Sequence, residues 1–340
     1  MVKIKTGFKF FIGFFVYSIT AFVFIIAAGF WWASLEFKNS GPLLETKIIS
    51  IERGSGLNAI AQKLKTEEAI TNSYVFILGA RLMNAQSDLK AGEYELPAYI
   101  SPRAILEKMK NGDVYVRRFT IAEGRTSFEV VQILNSINAL SGEITNIPAE
   151  GSLFPTTYDY KDNEDRKEII ARMQNSMTQT LDTLWETRVQ DLPFTTKEEA
   201  LTLASIVEKE TGVPSERKTI AGVFINRLRI GMPLQTDPTV IYAMNKGVNK
   251  NDGLGPLGRR LLSKDLEIDS PYNTYKNAGL PPGPIANPGA DSIAAVLDPE
   301  KNDYFYFVAD GKGGHIFSKT LAEHNANVAK WRKIRKEQGL

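Results

Sequence analysis

Cysteine is absent from the 340 residues. That absence removes disulfides, thiol nucleophiles, thiolate zinc sites and iron–sulfur clusters together. Histidine is scarce, with only His315 and His324 present. Two imidazoles do not build a multi-histidine metal centre, and any Ser–His pair would have to use one of these late residues. A charge excess is missing too, since 41 Lys plus Arg face 39 Asp plus Glu. Such a balance leaves no electrostatic footprint for nucleic acid as a partner. What is there is an ordinary globular composition, 43% hydrophobic and 24% charged, enough for an anchor and about two domains. Carboxylates are then the side chains left to do chemistry.

One long apolar run is present. Phe10 to Leu35 gives 26 residues without a charge, and at about 1.5 Å each they exceed a hydrocarbon core of about 30 Å. Lys3, Lys5 and Lys9 precede the run, whereas Lys38 follows it with Glu36 close by. The positive-inside rule therefore places the amino terminus in the cytoplasm and everything beyond residue 36 outside. Trp31 and Trp32 fit an aromatic belt at the outer interface. Ala27-Ala28-Gly29 offers a cleavage site, but the run continues past it and outlasts a signal-peptide core of about 7 to 15 residues, so a retained anchor is expected. With the three amino-terminal lysines set aside, the formal +2 becomes −1. The exported part is close to neutral, and its substrate need not be strongly charged.

Beyond the anchor the sequence reads as an α+β protein. Lys47 to Ile51 suits a strand, Gly54 and Gly56 a turn, and Leu57, Ile60, Ala61 and Leu64 the apolar face of a helix. Seventy residues on, Ile121, Gly124, Val130, Val131, Gln132 and Leu134 repeat that unit. Between them Ser101 and Pro102 open a helix through Ile105, Leu106 and Met109, which Gly112 closes. A polar helix is expected from about Asp165 to Arg188, after the aromatic turn Leu153 to Tyr158. Thr196 with Glu199 has capping-box spacing for a helix to Thr211, a second helix follows from about Ser215 to Ile230, and Asp237-Pro238 read as N-cap and first residue of a third. Gly279 to Gly289, with four prolines, is an ordered or linking loop. Tyr304 to Val308 is a strand, and the end from Leu321 is helical and basic. The expected organisation is a tail (1–9), an anchor (10–35), a linker (36–44), a small α+β module (45–116) and a mixed α/β domain (117–340).

A helical wheel over Ala200 to Thr211, at about 100° per residue, puts Glu210 about 20° from Leu203, inside the apolar stripe with Val207 and Ile206. Glu208 falls about 140° away, on the fringe, where it can reach solvent or a basic partner. A carboxyl group on an apolar face has its pKa pushed up, the condition for a general acid near neutral pH. Glu210 is the better acid candidate, although rotation to the surface or a pair with Arg217 would serve equally as a structural role. Asp237 reads more readily as a cap than as a catalytic group. Ser205 lies on the polar face with no histidine near it in sequence, and His315 and His324 suit structural or ligand-contacting roles better than metal binding. Gly311-Lys312-Gly313-Gly314 lacks the Ser or Thr of a phosphate loop and is set aside.

Three runs taken together are more specific than any of these: Ala204-Ser205-Ile206-Val207-Glu208-Lys209-Glu210-Thr211, then Val223-Phe224-Ile225-Asn226-Arg227-Leu228, then Leu234-Gln235-Thr236-Asp237-Pro238-Thr239-Val240-Ile241-Tyr242. With Tyr272-Asn273-Thr274-Tyr275, Gly279 to Ile285, and the stretch from Tyr306 to Asn325, they resemble the MltG (YceG-like) endolytic peptidoglycan transglycosylases over nearly the whole chain. The resemblance implies a single-pass inner-membrane enzyme with a LysM-like module at 45–116 and a catalytic domain after it. It implies lytic cleavage between N-acetylmuramic acid and N-acetylglucosamine within glycan strands, leaving 1,6-anhydromuramyl ends, with no metal or cofactor. It also implies Glu210 as the catalytic residue, and penicillin-binding protein synthases as partners. Glu208, Asn226, Gln235, Thr236, Asp237, Tyr272, Asn273 and Asn325 are the polar members of the matching runs, expected to line the sugar cleft. Two alternatives stay open: a muramidase with Asp237 as base or nucleophile, and a non-catalytic glycan-binding scaffold for cell-wall synthases.

Overall fold

Helix α1, Lys3–Lys38, opens the chain and is long and apolar enough to cross a membrane. Almost every side chain from Phe11 to Trp32 is exposed, so among the described residues almost nothing covers this stretch. The computed structural model describes residues 3–248 and 256–337 and divides into two compact units, Met1–Arg117 and Arg118–Leu340. The fold is α+β throughout.

In the first unit α1 is followed by β1 (Lys47–Ile51), α2 (Leu57–Thr66), α3 (Ser73–Leu82), β2 (Gly92–Leu96) and α4 (Pro102–Asn111). Strands β1 and β2 pair antiparallel with Ile49 opposite Tyr94, and every second residue of β1 from Ile49 is buried. Those residues meet Ile60, Ala61 and Leu64 of α2 and Ile105, Leu106 and Met109 of α4 in one core. The start of α4 follows from its first residues, since Ser101 Oγ accepts from the Ala104 N–H and Pro102 has no N–H to leave unpaired. Its end follows from Gly112, which takes φ 73°, a left-handed conformation that costs glycine nothing. Residues 36–44, expected to link, begin as the last turn of α1, and Phe37 and Leu43 are buried in the core. Helix α3 and strand β2, which the sequence reading did not resolve, complete the unit.

The second unit begins with β3 (Arg117–Thr120), α5 (Ser127–Ser136), β4 (Leu140–Ser141), β5 (Thr157–Tyr160), β6 (Glu164–Asp165) and α6 (Arg166–Glu186). It continues with α7 (Lys197–Glu210), α8 (Arg217–Arg229), α9 (Asp237–Asn245), α10 (Ala290–Leu297), β7 (Tyr306–Ala309), β8 (His315–Ser318) and α11 (Leu321–Glu337). The repeated strand, turn and helix is present twice, with Gly54 at φ 84° and Gly124 at φ 75° making equivalent turns. Ile121, Val130, Val131 and Leu134 bury just as their counterparts do. The described strands form two-stranded sheets, so helices carry the second unit. Helix α7 lies at its centre: Ala200 and Thr202 to Val207 are all buried, which leaves no polar face. Ser205, expected on such a face, is fully buried; its hydroxyl donates to the Thr202 carbonyl at 2.7 Å and accepts the Ile285 N–H at 3.0 Å. The proline-rich loop is thereby pinned to α7. The segment 311–314 is the turn of a β7–β8 hairpin, closed by the Asp310 N–H to the Gly314 carbonyl at 2.8 Å.

Candidate active site

Helix α7 delivers two glutamates at its last turn. Thr196 and Glu199 form a reciprocal capping box at its start, which fixes the helix register and hence where the last turn points. Glu208 and Glu210 then face different surroundings. Glu208 Oε2 accepts the Gly289 N–H at 2.9 Å and Oε1 lies 3.5 Å from Arg217 Nη2. Its side chain is 6% exposed. Arg217 also meets Glu123 at 3.2 Å and Asp291 at 3.1 Å, so one guanidinium ties α7, α8 and α10 to the β3–α5 turn. The pair expected as a structural role for Glu210 belongs to Glu208 instead. With its oxygens facing Arg217 and Gly289, Glu208 is a brace for the end of α7 rather than a cleft-lining group.

Glu210 has a different environment. Among the described residues no hydrogen bond engages its carboxyl group. Burial, and then the charge of Asp237, push its pKa up to about 8 against the opposing pull of Arg227. The carboxyl therefore holds its proton at neutral pH.

Arg227 of α8 is buried, with Nε donating to the Phe305 carbonyl at 2.7 Å and Nη1 to the Leu234 carbonyl at 2.6 Å. Its guanidinium lies 5.6 Å from the Tyr306 ring. Desolvation lowers its pKa, and the nearby Tyr306 and Glu210 raise it. Tyr306 in turn stacks on His324, ring centroids 5.3 Å apart, and burial holds that imidazole below its ordinary range.

Asp237 is placed differently from expectation. Thr236 occupies the N-cap position with no side-chain cap, and Asp237 is the first helical residue. Its Oδ1 accepts from the Tyr275 hydroxyl at 2.6 Å. The carboxylate is exposed and aligned by a phenol, not used to cap the helix. Burial, the bond to Asp237 and the proximity of Glu210 all hold the Tyr275 phenol above its ordinary range. Glu210, Arg227, Asp237 and Tyr275 thus form one electrostatic cluster built from α7, α8, α9 and the loop before residue 279.

The other expected residues divide. Gln235 is exposed with φ 51°, and its N–H donates to the Thr274 carbonyl at 3.1 Å. Thr236 is buried, and its hydroxyl has no hydrogen-bond partner among the described residues. Tyr272 packs 5.0 Å from the Tyr242 ring with Lys246 Nζ 5.5 Å from its centroid. Asn325 is exposed on α11, next to His324. Asn273 does not line a cleft: it is fully buried, donates to the Leu266 and Ile268 carbonyls at 2.8 Å each, and accepts the Tyr275 N–H at 3.0 Å. It shapes the loop that carries Tyr275. Asn226 Nδ2 likewise donates to the Asn302 and Tyr304 carbonyls at 2.8 and 3.1 Å, fastening the segment before β7 onto α8.

Arg227, Tyr275 and Tyr306 are given no role in the sequence reading, although each stands in or beside a matching run, while His324, expected in a structural or ligand-contacting role, stacks on Tyr306. Another carboxyl with a pKa raised by burial is Glu150. It accepts the Ser127 N–H at 2.7 Å at the start of α5, which gives it a structural task.

With this geometry in place, the family model for the YceG-like family matches residues 49–330. The chain belongs to the YceG-like family. Among YceG-like relatives, the endolytic murein transglycosylase of Bacillus subtilis (strain 168) is 37% identical over 314 residues, covering 83% of this chain and 84% of that one. The endolytic murein transglycosylase of Streptococcus pneumoniae (strain D39) is 30% identical over 325 residues, and there the match spans 57% of a longer protein. The crystal structure of a yceG-like protein from Listeria monocytogenes is similar with a TM-score of 0.50 and 34% identity, covering 83% of this chain and 98% of that one.

Proposed function

We propose that this protein is an endolytic murein transglycosylase in which Glu210 is the catalytic acid and base. The observation that carries the reading is the Glu210 carboxyl group, protonated at neutral pH by burial and by Asp237, and engaged by no hydrogen bond among the described residues. It gives its proton to the glycosidic oxygen between N-acetylmuramic acid and N-acetylglucosamine, and the bond to C1 breaks. The resulting carboxylate then takes the proton from the C6 hydroxyl of the same sugar as that oxygen closes on C1. The leaving strand carries the first proton, Glu210 regains the second, and the new end is a 1,6-anhydromuramyl residue. Water is not consumed. Asp237, aligned by Tyr275, offers negative charge to the oxocarbenium-like transition state, while Arg227 favours the ionised form of Glu210 between the two proton transfers. Gln235, Tyr272 and Asn325 form the sugar-contacting surface in this reading, and the buried Thr236 stands outside it.

We read α1 as a single-pass anchor with the amino terminus in the cytoplasm and both units on the outer side, supported by Lys3, Lys5 and Lys9 before the apolar run. Residues 45–116 act as the LysM-like glycan-holding module, and 117–340 as the catalytic domain. Synthases of the penicillin-binding class are partners in the same reading, since cutting nascent strands requires access to them.

The proximity of Asp237 to Glu210 also favours a second reading, a muramidase using both carboxyl groups. One experiment separates the two: incubate the full-length protein in detergent, wild type and Glu210→Gln, with peptidoglycan and determine fragment ends by mass spectrometry. Anhydro ends that vanish in the variant are expected. Reducing ends, one water heavier, would replace the lyase with a hydrolase, and unchanged cleavage by Glu210→Gln would remove Glu210 from the reaction.

A further inference from the structure

The first unit carries an apolar groove that the reaction above does not use. It encloses about 290 Å³ between the outer end of α1 and the outward face of α3, lined by Phe30, Ala33, Phe37, Leu78 and Leu82, with Lys38 and Arg103 also bordering it. Tyr74, Leu78 and Leu82 recur every fourth residue on α3, one stripe of a helix, and are 81%, 39% and 60% exposed. A soluble module gains nothing from such a stripe.

Its depth relative to a bilayer follows from the anchor. Counting from Phe10, about twenty residues at about 1.5 Å rise cross a hydrocarbon core of about 30 Å, which brings the outer boundary to about Phe30. The groove begins at that residue, and Trp31 and Trp32 are exposed beside it at 69% and 54%. Helix α3 is held against this part of α1. A Cβ on Gly79 would come within 2.3 Å of the Phe37 ring, so only glycine allows the observed approach, and Thr71 hydrogen-bonds to Glu36 across the same contact. No carboxylate pairs with Lys38 among the described residues, and Arg103, paired with Glu107 at 2.9 Å, remains half exposed.

We propose that this groove takes an acyl chain of an anionic phospholipid from the outer leaflet, with its phosphodiester at Lys38 and Arg103. The proposal rests on the reading of α1 as a membrane anchor. It makes the first unit a body seated in the headgroup layer, with Leu78 and Leu82 among lipid rather than water.

The lack of native cysteine allows single labels to be placed. Full-length protein carrying a fluorophore at Phe24→Cys or at Leu82→Cys is reconstituted into vesicles of phosphatidylcholine and phosphatidylglycerol, with a chain nitroxide on one lipid or the other. The Phe24 label should be quenched by both lipids alike. At Leu82, quenching should be about twofold stronger or more when the nitroxide is on phosphatidylglycerol, and replacing Lys38 and Arg103 by Gln should abolish that preference. Quenching at Phe24 without quenching at Leu82 would overturn the groove while leaving the anchor standing. Equal quenching at Leu82 by both lipids would overturn the anionic headgroup, and no quenching at either position would overturn the anchor and the groove together.

Discussion

Glu210 differs from Glu208 in what its carboxyl group meets, not in its chemistry. Glu208 is bonded to an arginine and a backbone N–H; among the described residues Glu210 has no such bond, only the more distant charge of Arg227 and the opposing carboxylate of Asp237. Because its pKa in the folded protein is about 8 against an ordinary 4.5, its contribution to stability is fully present below about pH 4.5 and is lost as pH rises toward 8. Glu210→Gln should therefore melt higher than wild type at pH 8, by about 1 to 3 kcal/mol, and show no gain at pH 4. Scanning calorimetry at the two values checks this, alongside a loss of cleavage of about 100-fold or more. Asp237→Asn removes the charge that raises Glu210, so the alkaline limb of the pH–rate profile should move to lower pH. A profile that keeps its limb would mean Asp237 does not act on Glu210. The helical wheel made Glu210 legible because α7 is buried where its stripe runs. Asp237 was harder to read: Asp before Pro fits a cap, and only the fold brings up the Tyr275 hydroxyl from 38 residues away to give the carboxylate another partner.

Several elements whose ends are chemically marked were readable, and β8, marked only by a tertiary partner, was not. The capping box at Thr196, Ser101-Pro102 and Gly112 each supply a local hydrogen bond or a permitted backbone angle. Strand β8 lacks such a signal, whereas α3 has one that the pattern of its residues did not bring out: Asn72 Oδ1 accepts the Tyr74 N–H at 2.9 Å. His315 to Ser318 becomes a strand because β7 offers it a ladder, with Phe307 opposite Phe317. Long-range contact also explains Gly222 in α8, where helix propensity alone favours alanine by about 1 kcal/mol. The carbonyl of Glu300 lies where its Cβ would be, at 2.4 Å, and Asn302 Nδ2 at 2.5 Å. That segment is tied down by the Glu300 N–H to the Lys218 carbonyl at 3.1 Å and by Asn226 to Asn302 and Tyr304, so it has no easy retreat. Gly222→Ala should therefore destabilise by about 1 to 3 kcal/mol, the cost of overpacking, in spite of the better helix former. Urea unfolding of the two proteins decides it: an unchanged or higher midpoint would mean the 300–304 segment moves aside freely.

At the scale of the whole chain, the two units have separate hydrophobic cores, which predicts separate folding. The sequence placed a linker at 36–44, reading the first charge after the apolar run as the end of the anchor. The helix instead continues to Lys38, because Phe37 finds a seat over Gly79 and Ala33 packs on the same core. Polarity marked the membrane boundary in that reading, while packing sets the boundary of the fold. A fragment starting at residue 45 would take Phe37 and Leu43 out of the core they share with Val75, Phe76 and Ala80, losing two large buried side chains at about 1.5 to 3 kcal/mol each. One starting at residue 30 keeps them. The shorter fragment should thus show a lowered first transition on heating with an unchanged second one, because residues 117–340 contain Glu210, Arg227, Asp237 and Tyr275 and the cores beneath them. Its cleavage of soluble glycan fragments should match that of the longer fragment. Differential scanning calorimetry with a fragment-end assay reads both, and a loss of cleavage parallel to the lowered first transition would mean that the site depends on the first unit after all.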